Sequence, residues 1–228
     1  SKHKLLYNFF KQLFAQVTNP AIDPIREKMV MSLTSILGPR KNLLSLLPMK
    51  SKCLMLDQPI LNNIQISAIK NIAKINNSGH KSSILDATSF IQDGIDGMKE
   101  CVEDLKITAE KAIKAGTNIL IISDRKISKN KIAIPMLLAL SAIHQHLIRV
   151  GLRTEVGIAI ETGEAREIHH YCVLAGYGAD AINPYLAFET IKDIIKSPSI
   201  GLSFDEACKN YITAIGKGIL KVMSKMGI

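Results

Sequence analysis

The residues from Thr154 to Tyr185, TEVGIAIETGEAREIHHYCVLAGYGADAINPY, constrain the fold of this chain more than any other stretch. Two short apolar runs, Glu155 to Glu161 and Ala179 to Asn183, flank a segment from Gly163 to Ala175 whose apolar residues have helical spacing. Two short strands joined by a helix pair parallel, because the crossover returns the chain to the edge where it started. The stretch therefore predicts a parallel α/β framework.

The same alternation of strand and helix extends toward the N-terminus. Ser83 to Thr88 and Asn118 to Ser123 are predicted strands, and Gly97 to Ala115 and Pro135 to Val150 are predicted helices. Four strands are too few to close an eight-stranded barrel. We therefore predict an α/β fold of parallel βα units that form an incomplete, barrel-like or open sheet.

Two more helices are predicted after the last strand. The first covers Leu186 to Lys196. The second begins at a capping box, Ser203 to Glu206, and runs toward Met226 with an interruption near Gly216 and Gly218.

Residues 1–80 lack this rhythm and are predicted to form a long, irregular N-terminal arm. Leu5 to Val17 has the spacing of a helix, prolines at positions 20 and 24 then break the chain, and Ile25 to Leu37 fits either a helix or an extended segment. We expect the arm to lie over another surface, such as a neighbouring domain. The predicted division is 1–80 for the arm and irregular segment, 81–215 for the parallel α/β core, and 216–228 for the start of a junction to a following domain.

Composition excludes several classes of function. No apolar run reaches the roughly 18 residues that a membrane-spanning helix needs, so no membrane partner is predicted. The net charge is +9, but the lysines are scattered and aromatic residues make up only 5% of the chain, so no nucleic-acid partner is predicted either.

The chain has no cysteine motif and no targeting signal. Its four cysteines lack CxxC spacing, and no signal peptide is present, which indicates a reducing, cytoplasmic location. The sequence has no initiating methionine and begins within a helical pattern, so we expect it to be a piece of a longer protein.

Polar residues follow the predicted strands at their carboxyl ends, which meet at one edge of a parallel sheet. They are Asp86, Asp124, Arg125, Glu161 and Asn183. Such a carboxylate cluster, with the arginine as its partner, suits general acid–base chemistry or a metal site. The same side chains also fit a structural role in capping helices and closing turns, and this second interpretation is favoured.

The residues alone leave two hypotheses. The sequence contains no GxGxxG, Walker, GxSxG or HExxH motif. The chain is then either an independent α/β enzyme that uses the strand-end rim of Asp86, Asp124 and Glu161, or a non-catalytic domain of a larger enzyme.

Several stretches resemble the central domain of the glutamate synthases. Asn19 to Leu33, NPAIDPIREKMVMSL, with GPRKNL after it, is similar to the opening of that domain, and Glu161 to Ile191 resembles its carboxyl-terminal part. Ser83 to Thr88 and Ile121 to Arg125 agree in order and spacing. Lys217 to Ile228, KGILKVMSKMGI, resembles the junction that leads into the flavin domain of the family.

The resemblance implies a parent oxidoreductase of glutamate biosynthesis and nitrogen metabolism. It makes two glutamates from glutamine and 2-oxoglutarate, with electrons from ferredoxin or from a subunit that oxidises a pyridine nucleotide. An amidotransferase domain precedes this chain, and a domain with FMN and an iron–sulfur cluster follows it. The chain itself is then a connector without a cofactor, inactive in isolation, and its partners are those two domains of the same polypeptide.

A connector between these sites implies a path that keeps ammonia away from bulk water. In the family this path skirts the start of the central domain, which assigns its lining to Met29, Met31, Ser32, Thr34, Gln58, Leu61 and Asn62. Methionine suits such a wall because its side chain is apolar and adaptable. The alternative is that the methionines belong to the core.

Overall fold

The computed structural model describes residues 4–15, 22–23, 25–40, 44, 53–74, 79–197 and 201–228. The strands in these ranges are β1 (Ser35–Leu37), β2 (Leu54–Leu56), β3 (Ser82–Asp86), β4 (Thr88–Phe90), β5 (Ile119–Ser123), β6 (Lys131–Ala133), β7 (Gly157–Glu161) and β8 (Ala181–Asn183). The helices are α1 (Glu27–Val30), α2 (Asn63–Lys70), α3 (Gly94–Lys114), α4 (Met136–Arg149), α5 (Ile168–Gly176), α6 (Tyr185–Ile194) and α7 (Phe204–Met226). None of the described helices is long and apolar enough to cross a membrane.

The centre of the fold is a four-stranded parallel sheet in the order β3-β5-β7-β8. Each strand pairs in parallel with the next one of the sheet along the chain, and the described strands form no closed barrel. The predicted α/β class with an open, parallel sheet is therefore confirmed. Ile60 extends the sheet beyond β8 through a single parallel bridge to Ile182.

The two faces of the sheet are covered by different parts of the chain. Leu120, Ile122 and Ile160 belong to one cluster, which contains the buried residues of α3, α4 and α5. Ile119 and Ile121 face the other way and belong to a second cluster with residues of β1 and α2. We call this second side the inner face. Alternate strand residues serve the two clusters, as the pleat requires, and burial on both sides explains why the central strands are continuously apolar.

The N-terminal segment approaches the inner face through a close backbone contact. β1 pairs antiparallel with β2, and the turn after β1 brings Gly38 against Gly157 of β7. A Cβ atom at Gly157 would collide with the backbone of Gly38 and with the carbonyl carbon of Leu37. Glycine at this position therefore allows the arm to pack on the sheet.

The predicted helix from Leu5 to Val17 is wrong. The structure has only a short 3₁₀ helix at Leu6–Phe9, the described residues after it have no helical hydrogen-bonding pattern, and residues 16 and 17 lie outside the described ranges. A short helix in water needs a face to bury, and here Phe9 and Leu13 are exposed while Tyr7 alone is fully buried. The segment from Ile25 to Leu37, whose sequence fits either a helix or an extended chain, contains both a helix, α1, and a strand, β1.

Two local predictions are wrong: the interruption of the last helix near Gly216 and Gly218, and the start of the helical segment at Gly163. α7 is uninterrupted at Gly216 and Gly218, because the missing side chains make room for Leu33 and Ile168, which approach the helix there. α5 begins at Ile168 rather than at Gly163, since the backbone N–H of Gly163 is used to bind Asp124. The domain boundaries at 80/81 and 215/216 remain predictions, and α7 crosses the second of them.

Replacing Gly157 by alanine should destabilise the fold. The added methyl group meets backbone rather than a flexible side chain, and such overpacking costs about 1–3 kcal/mol. Urea unfolding of Gly157→Ala measures the loss. Gly176→Ala is the matched control, because a Cβ atom there meets nothing within 4 Å; equal stability of the two variants would contradict the close approach of the arm.

Candidate functional site

The last residues of the four parallel strands form one polar row. Asp86 is the register partner of Ser123, Ser123 of Glu161, and Glu161 of Asn183. Register partners point to the same side of a sheet, so all four side chains lie at the carboxyl edge of the inner face. The structure therefore places Asp86, Glu161 and Asn183 along one edge of the sheet, on strands β3, β7 and β8.

Glu161 is the most enclosed member of this row, with 1% of its surface exposed. Its two carboxylate oxygens both lie 2.7 Å from the ammonium nitrogen of Lys70. The hydroxyl of Ser123 donates to one oxygen, and the guanidinium of Arg125 lies 3.6 Å from the other. A buried charge is stable only when it is paired and hydrogen-bonded, and Glu161 meets both conditions.

Lys70 is the functional residue that the sequence analysis missed. It ends α2, which begins at a capping box formed by Asn62 and Gln65 and buries Ile66 and Ile69 against the inner face. The backbone carbonyl of Lys70 accepts the Ser82 hydroxyl, which fixes the end of α2 to β3. The pattern of the capping box, a polar cap with glutamine three residues later, was the signal available in the sequence.

Asp124, directly after β5, belongs to a separate group. Its carboxylate accepts the Thr162 hydroxyl and the backbone N–H of Gly163, and the Tyr185 hydroxyl faces it. Burial raises the pKa of Asp124, although these hydrogen bonds oppose the shift. The guanidinium of Arg125 lies 4.6 Å from the centre of the Tyr185 ring, so Arg125 contacts both the group around Glu161 and the group around Asp124.

A further carboxylate, Glu164, lies next to Asp124. It accepts the first backbone N–H of α4, that of Met136, and burial raises its pKa, with repulsion from Asp124 as a smaller cause. The hydroxyl of Tyr7 faces Glu164 but makes no hydrogen bond of ordinary geometry with the described residues. The ring of Tyr7 stacks on His170, with 4.5 Å between ring centres.

The two outer residues of the row, Asp86 and Asn183, also contact other residues of the chain. Asp86 accepts the Thr88 hydroxyl and lies within 4 Å of the ammonium nitrogens of Lys126 and Lys131. The side-chain amide of Asn183 donates to the carbonyls of Leu61 and of the Asn63 side chain, while its own oxygen is buried without a hydrogen bond to any described residue.

These contacts limit what the rim can do. A perturbed pKa in a cleft is a mark of a catalytic group, but Asp124 is only 1% exposed. Among the described residues, no three His, Cys, Asp or Glu side chains are placed to hold a metal ion. The geometry shows carboxylates that neutralise internal donors and tie strand ends to α2, α4 and the loop after β7.

The residues predicted to line an ammonia path fall into two groups. Gln58 and Asn62 line a cavity of about 370 Å³ beside the first half of α7. Met29, Met31, Ser32 and Thr34 belong to the segment whose Leu33 reaches Gly216, in the second half of α7. Met29 is 83% exposed, Met31 is half-buried, and Leu61 is buried in the inner-face cluster. A continuous passage between the groups stays a prediction.

Removing the ammonium group of Lys70 should destabilise the protein strongly. Lys70→Met leaves the buried charge of Glu161 without its closest partner, and breaking a buried pair in this way costs about 3–5 kcal/mol. Because Lys70 is partly exposed to solvent, we expect a loss of stability at the lower end of this range. The free energy of unfolding at neutral pH measures the loss.

Lys74→Met is the matched control for this substitution, because Lys74 is exposed on the next turn of the chain. We expect a change within about 0.5 kcal/mol there. Adding Glu161→Gln to Lys70→Met should recover part of the stability, since the buried charge is then removed. Equal effects of the two lysine substitutions would refute the pairing.

The pH dependence of stability should reveal the raised pKa of Glu164. The folded state holds its proton more tightly than the unfolded state, so this group favours folding at low pH, and that contribution is lost as the pH rises through the folded pKa. The wild type should therefore lose stability relative to Glu164→Gln over the pH range that starts near the ordinary glutamate pKa of about 4.3 and extends upward. A difference that stays constant over this range would contradict the shift.

Comparison with known proteins identifies the family. The model of the glutamate synthase central domain matches residues 1–228. The chain is 48% identical to the large chain of glutamate synthase (NADPH) from Bacillus subtilis, with 98% of this chain and 14% of that protein covered. It is 46% identical to glutamate synthase (NADH) from Saccharomyces cerevisiae, over 98% of this chain and 11% of that protein.

The name of a third relative states a different electron donor, ferredoxin. The chain is 42% identical to the ferredoxin-dependent glutamate synthase from Pyropia yezoensis, over all of this chain and 15% of that protein. The chain thus spans only 11–15% of the length of these relatives. The resemblance seen in the sequence is confirmed, and the chain belongs to the glutamate synthase central domain family.

Proposed function

We propose that this chain is the connecting domain of a glutamate synthase. It links a glutamine amidotransferase site to a synthase site with FMN and an iron–sulfur cluster, and helps to form the path that ammonia takes between them. It performs no catalytic step itself. The names and the greater length of the relatives support this place within a larger enzyme, driven by NADPH, NADH or ferredoxin. We also propose that this enzyme lies in the cytoplasm.

The observation that carries the proposal is the packing of the N-terminal arm along the last helix. The backbone N–H of Ala15 donates to Lys225, and Ile22 exchanges two hydrogen bonds with Ser224. Farther along, Glu27 lies 3.9 Å from the ammonium group of Lys221. A domain joined to the arm and a domain joined to the end of α7 would therefore be neighbours, which is what a connector between two sites requires.

The arm also presents apolar side chains to solvent. Leu13, Ile25 and Met29 are each more than 80% exposed, and Phe9 is 71% exposed. Isolated exposed apolar residues are common, but several on one short stretch mark a contact surface. We propose that the amidotransferase domain covers them.

The cofactors of the parent enzyme fit poorly on this chain. FMN carries an anionic phosphate, whereas the lysines at the strand-end rim are already paired with carboxylates of this chain, Lys70 with Glu161, and Lys126 and Lys131 with Asp86. An iron–sulfur cluster needs several cysteine ligands, but Cys53, Cys101, Cys172 and Cys208 are dispersed along the sequence, and no three metal-ligating side chains converge among the described residues. We therefore place both cofactors in other domains.

The alternative is an independent enzyme that uses the rim of Asp86, Asp124 and Glu161. The internal pairing of Glu161 with Lys70 and the burial of Asp124 favour the connector instead. The two hypotheses differ in what the chain does by itself. A flavin absorbance spectrum, or turnover of glutamine or 2-oxoglutarate by the 228-residue chain alone, would overturn the connector proposal.

Weakening the proposed wall of the path should uncouple the parent enzyme. Met31→Ala opens a gap beside the arm, so ammonia escapes into water before it reaches the second site. We expect about a twofold rise in glutamine hydrolysed per 2-oxoglutarate consumed, with glutaminase turnover unchanged. Free ammonia and glutamate are measured in the same reaction.

Met55→Ala is the matched control, because Met55 is an exposed methionine of β2 outside the predicted lining. It should leave the ratio of the two reactions unchanged. If Met31→Ala and Met29→Ala both behave like Met55→Ala, the arm does not form the wall, and the ammonia path lies elsewhere.

A further inference from the structure

The outer edge of β3 carries backbone hydrogen-bonding groups that pair with no described strand. The N–H of Ile119 donates to the carbonyl of Lys81, and the N–H of Ala87 donates to the carbonyl of Ser123, so the odd-numbered residues of β3 face β5. Because backbone groups alternate along a strand, Ser82, Ile84 and Asp86 direct theirs away from β5. No described strand pairs with β3 on that side.

Within the part of the chain that the structure describes, this edge lacks the protection that is usual for exposed strands. Proteins blunt such edges with lysine, proline, bulges or a covering segment. β3 reads SSILD, which contains neither proline nor a positive charge, and Ile84 at its middle is 51% exposed. An edge of this kind is a template for another strand.

A groove of about 450 Å³ runs beside the edge. One wall is the chain from Ile84 to Phe90, and the other is α3. The helix contributes residues spaced three and four apart, which lie on one face of a helix: Gly97, Glu100, Cys101, Asp104, Leu105 and Thr108. Leu85 and Leu105 are buried beneath the groove.

The groove is acidic, although the chain as a whole carries a net charge of +9. Asp93, Glu100 and Asp104 line it, are exposed, and form no salt bridge within the described part of the chain. Other acids of α3 are neutralised by neighbouring lysines, as Asp96 is by Lys99 and Glu103 by Lys106. The unpaired charges are thus concentrated where the strand edge is free.

We propose that an extended segment of the same longer polypeptide, outside residues 1–228, pairs with the free edge of β3 and places lysine or arginine side chains against Asp93, Glu100 and Asp104. The strand edge calls for an extended backbone, and the acidic wall calls for basic side chains, whose aliphatic stems pack over Leu105. Relatives of which this chain covers only 11–15% have ample sequence to supply the segment.

This inference uses the proposed function in one respect, that the chain is part of a longer polypeptide. It does not depend on the ammonia path. Within the described residues the sheet ends at β3, and an added strand would cover the β3 edge as Ile60 covers the β8 edge.

Photo-cross-linking in the full-length protein tests the proposal. A benzophenone amino acid replaces Ile84, and mass spectrometry identifies the peptide joined to it after irradiation. We expect an intramolecular cross-link to a segment outside residues 1–228 in which basic and apolar residues alternate. The same probe at Ile148, an equally exposed position on α4, should not reach that segment.

Charge reversal in the groove provides a second test of the proposal. Glu100→Lys with Asp104→Lys should lower the yield of the cross-link about tenfold, whereas Glu103→Lys, an exposed acid of α3 outside the groove lining, should leave it unchanged.

Three results would overturn the inference: no cross-link from position 84, a cross-link to another copy or another protein, or a cross-link to an acidic or helical segment. Coupling of glutamine hydrolysis to glutamate formation is measured on the same samples. Intact coupling without the cross-link refutes the added strand alone, and leaves the connector function standing.

Discussion

The ion pair between Lys70 and Glu161 is the interaction on which the inner face of the sheet depends. Four parallel strands without a barrel to close them leave one face that must be covered by other means. α2 and the β1-β2 hairpin cover it, and Lys70 brings a positive charge to the buried carboxylate at the edge. Since the carbonyl of Lys70 also binds Ser82, one residue joins the end of α2 to both β3 and β7.

The rim and the arm form two different kinds of surface on one scaffold. The strand-end carboxylates are turned inward, to Lys70, to Thr162 and to the start of α4, so their charges are used to hold elements together. The arm shows the opposite pattern, because it is anchored to α7 by hydrogen bonds while its apolar side chains face solvent. The rim therefore stabilises the fold, whereas the arm leaves apolar surface exposed.

The parallel core could be predicted because its signals are local. Ile119 to Ser123 is a continuous apolar run bounded by polar residues, and Ser203 with Glu206 is a capping box that starts α7 as expected. The arm could not be predicted in the same way. Its apolar residues have helical spacing, but whether a helix forms depends on a surface to pack against, and only Tyr7 finds one in full. The predicted interruption of α7 at Gly216 and Gly218 is wrong for the same reason, since the residues that pack there, Leu33 and Ile168, lie far away along the chain.

The sequence by itself determined the order of strands and helices in the parallel core, the parallel pairing of the sheet, and the family. The order and the pairing follow from periodicity and from the crossover connections between successive elements, and the family follows from the resemblance of its motifs. Only the tertiary structure decided that Glu161 is neutralised by Lys70, that Asp124 turns to a separate group with Glu164, and that the arm lies along α7. The reason is physical: a charge becomes a structural tie or a reactive group according to which distant side chains surround it, and burial by such residues has no local pattern in the chain.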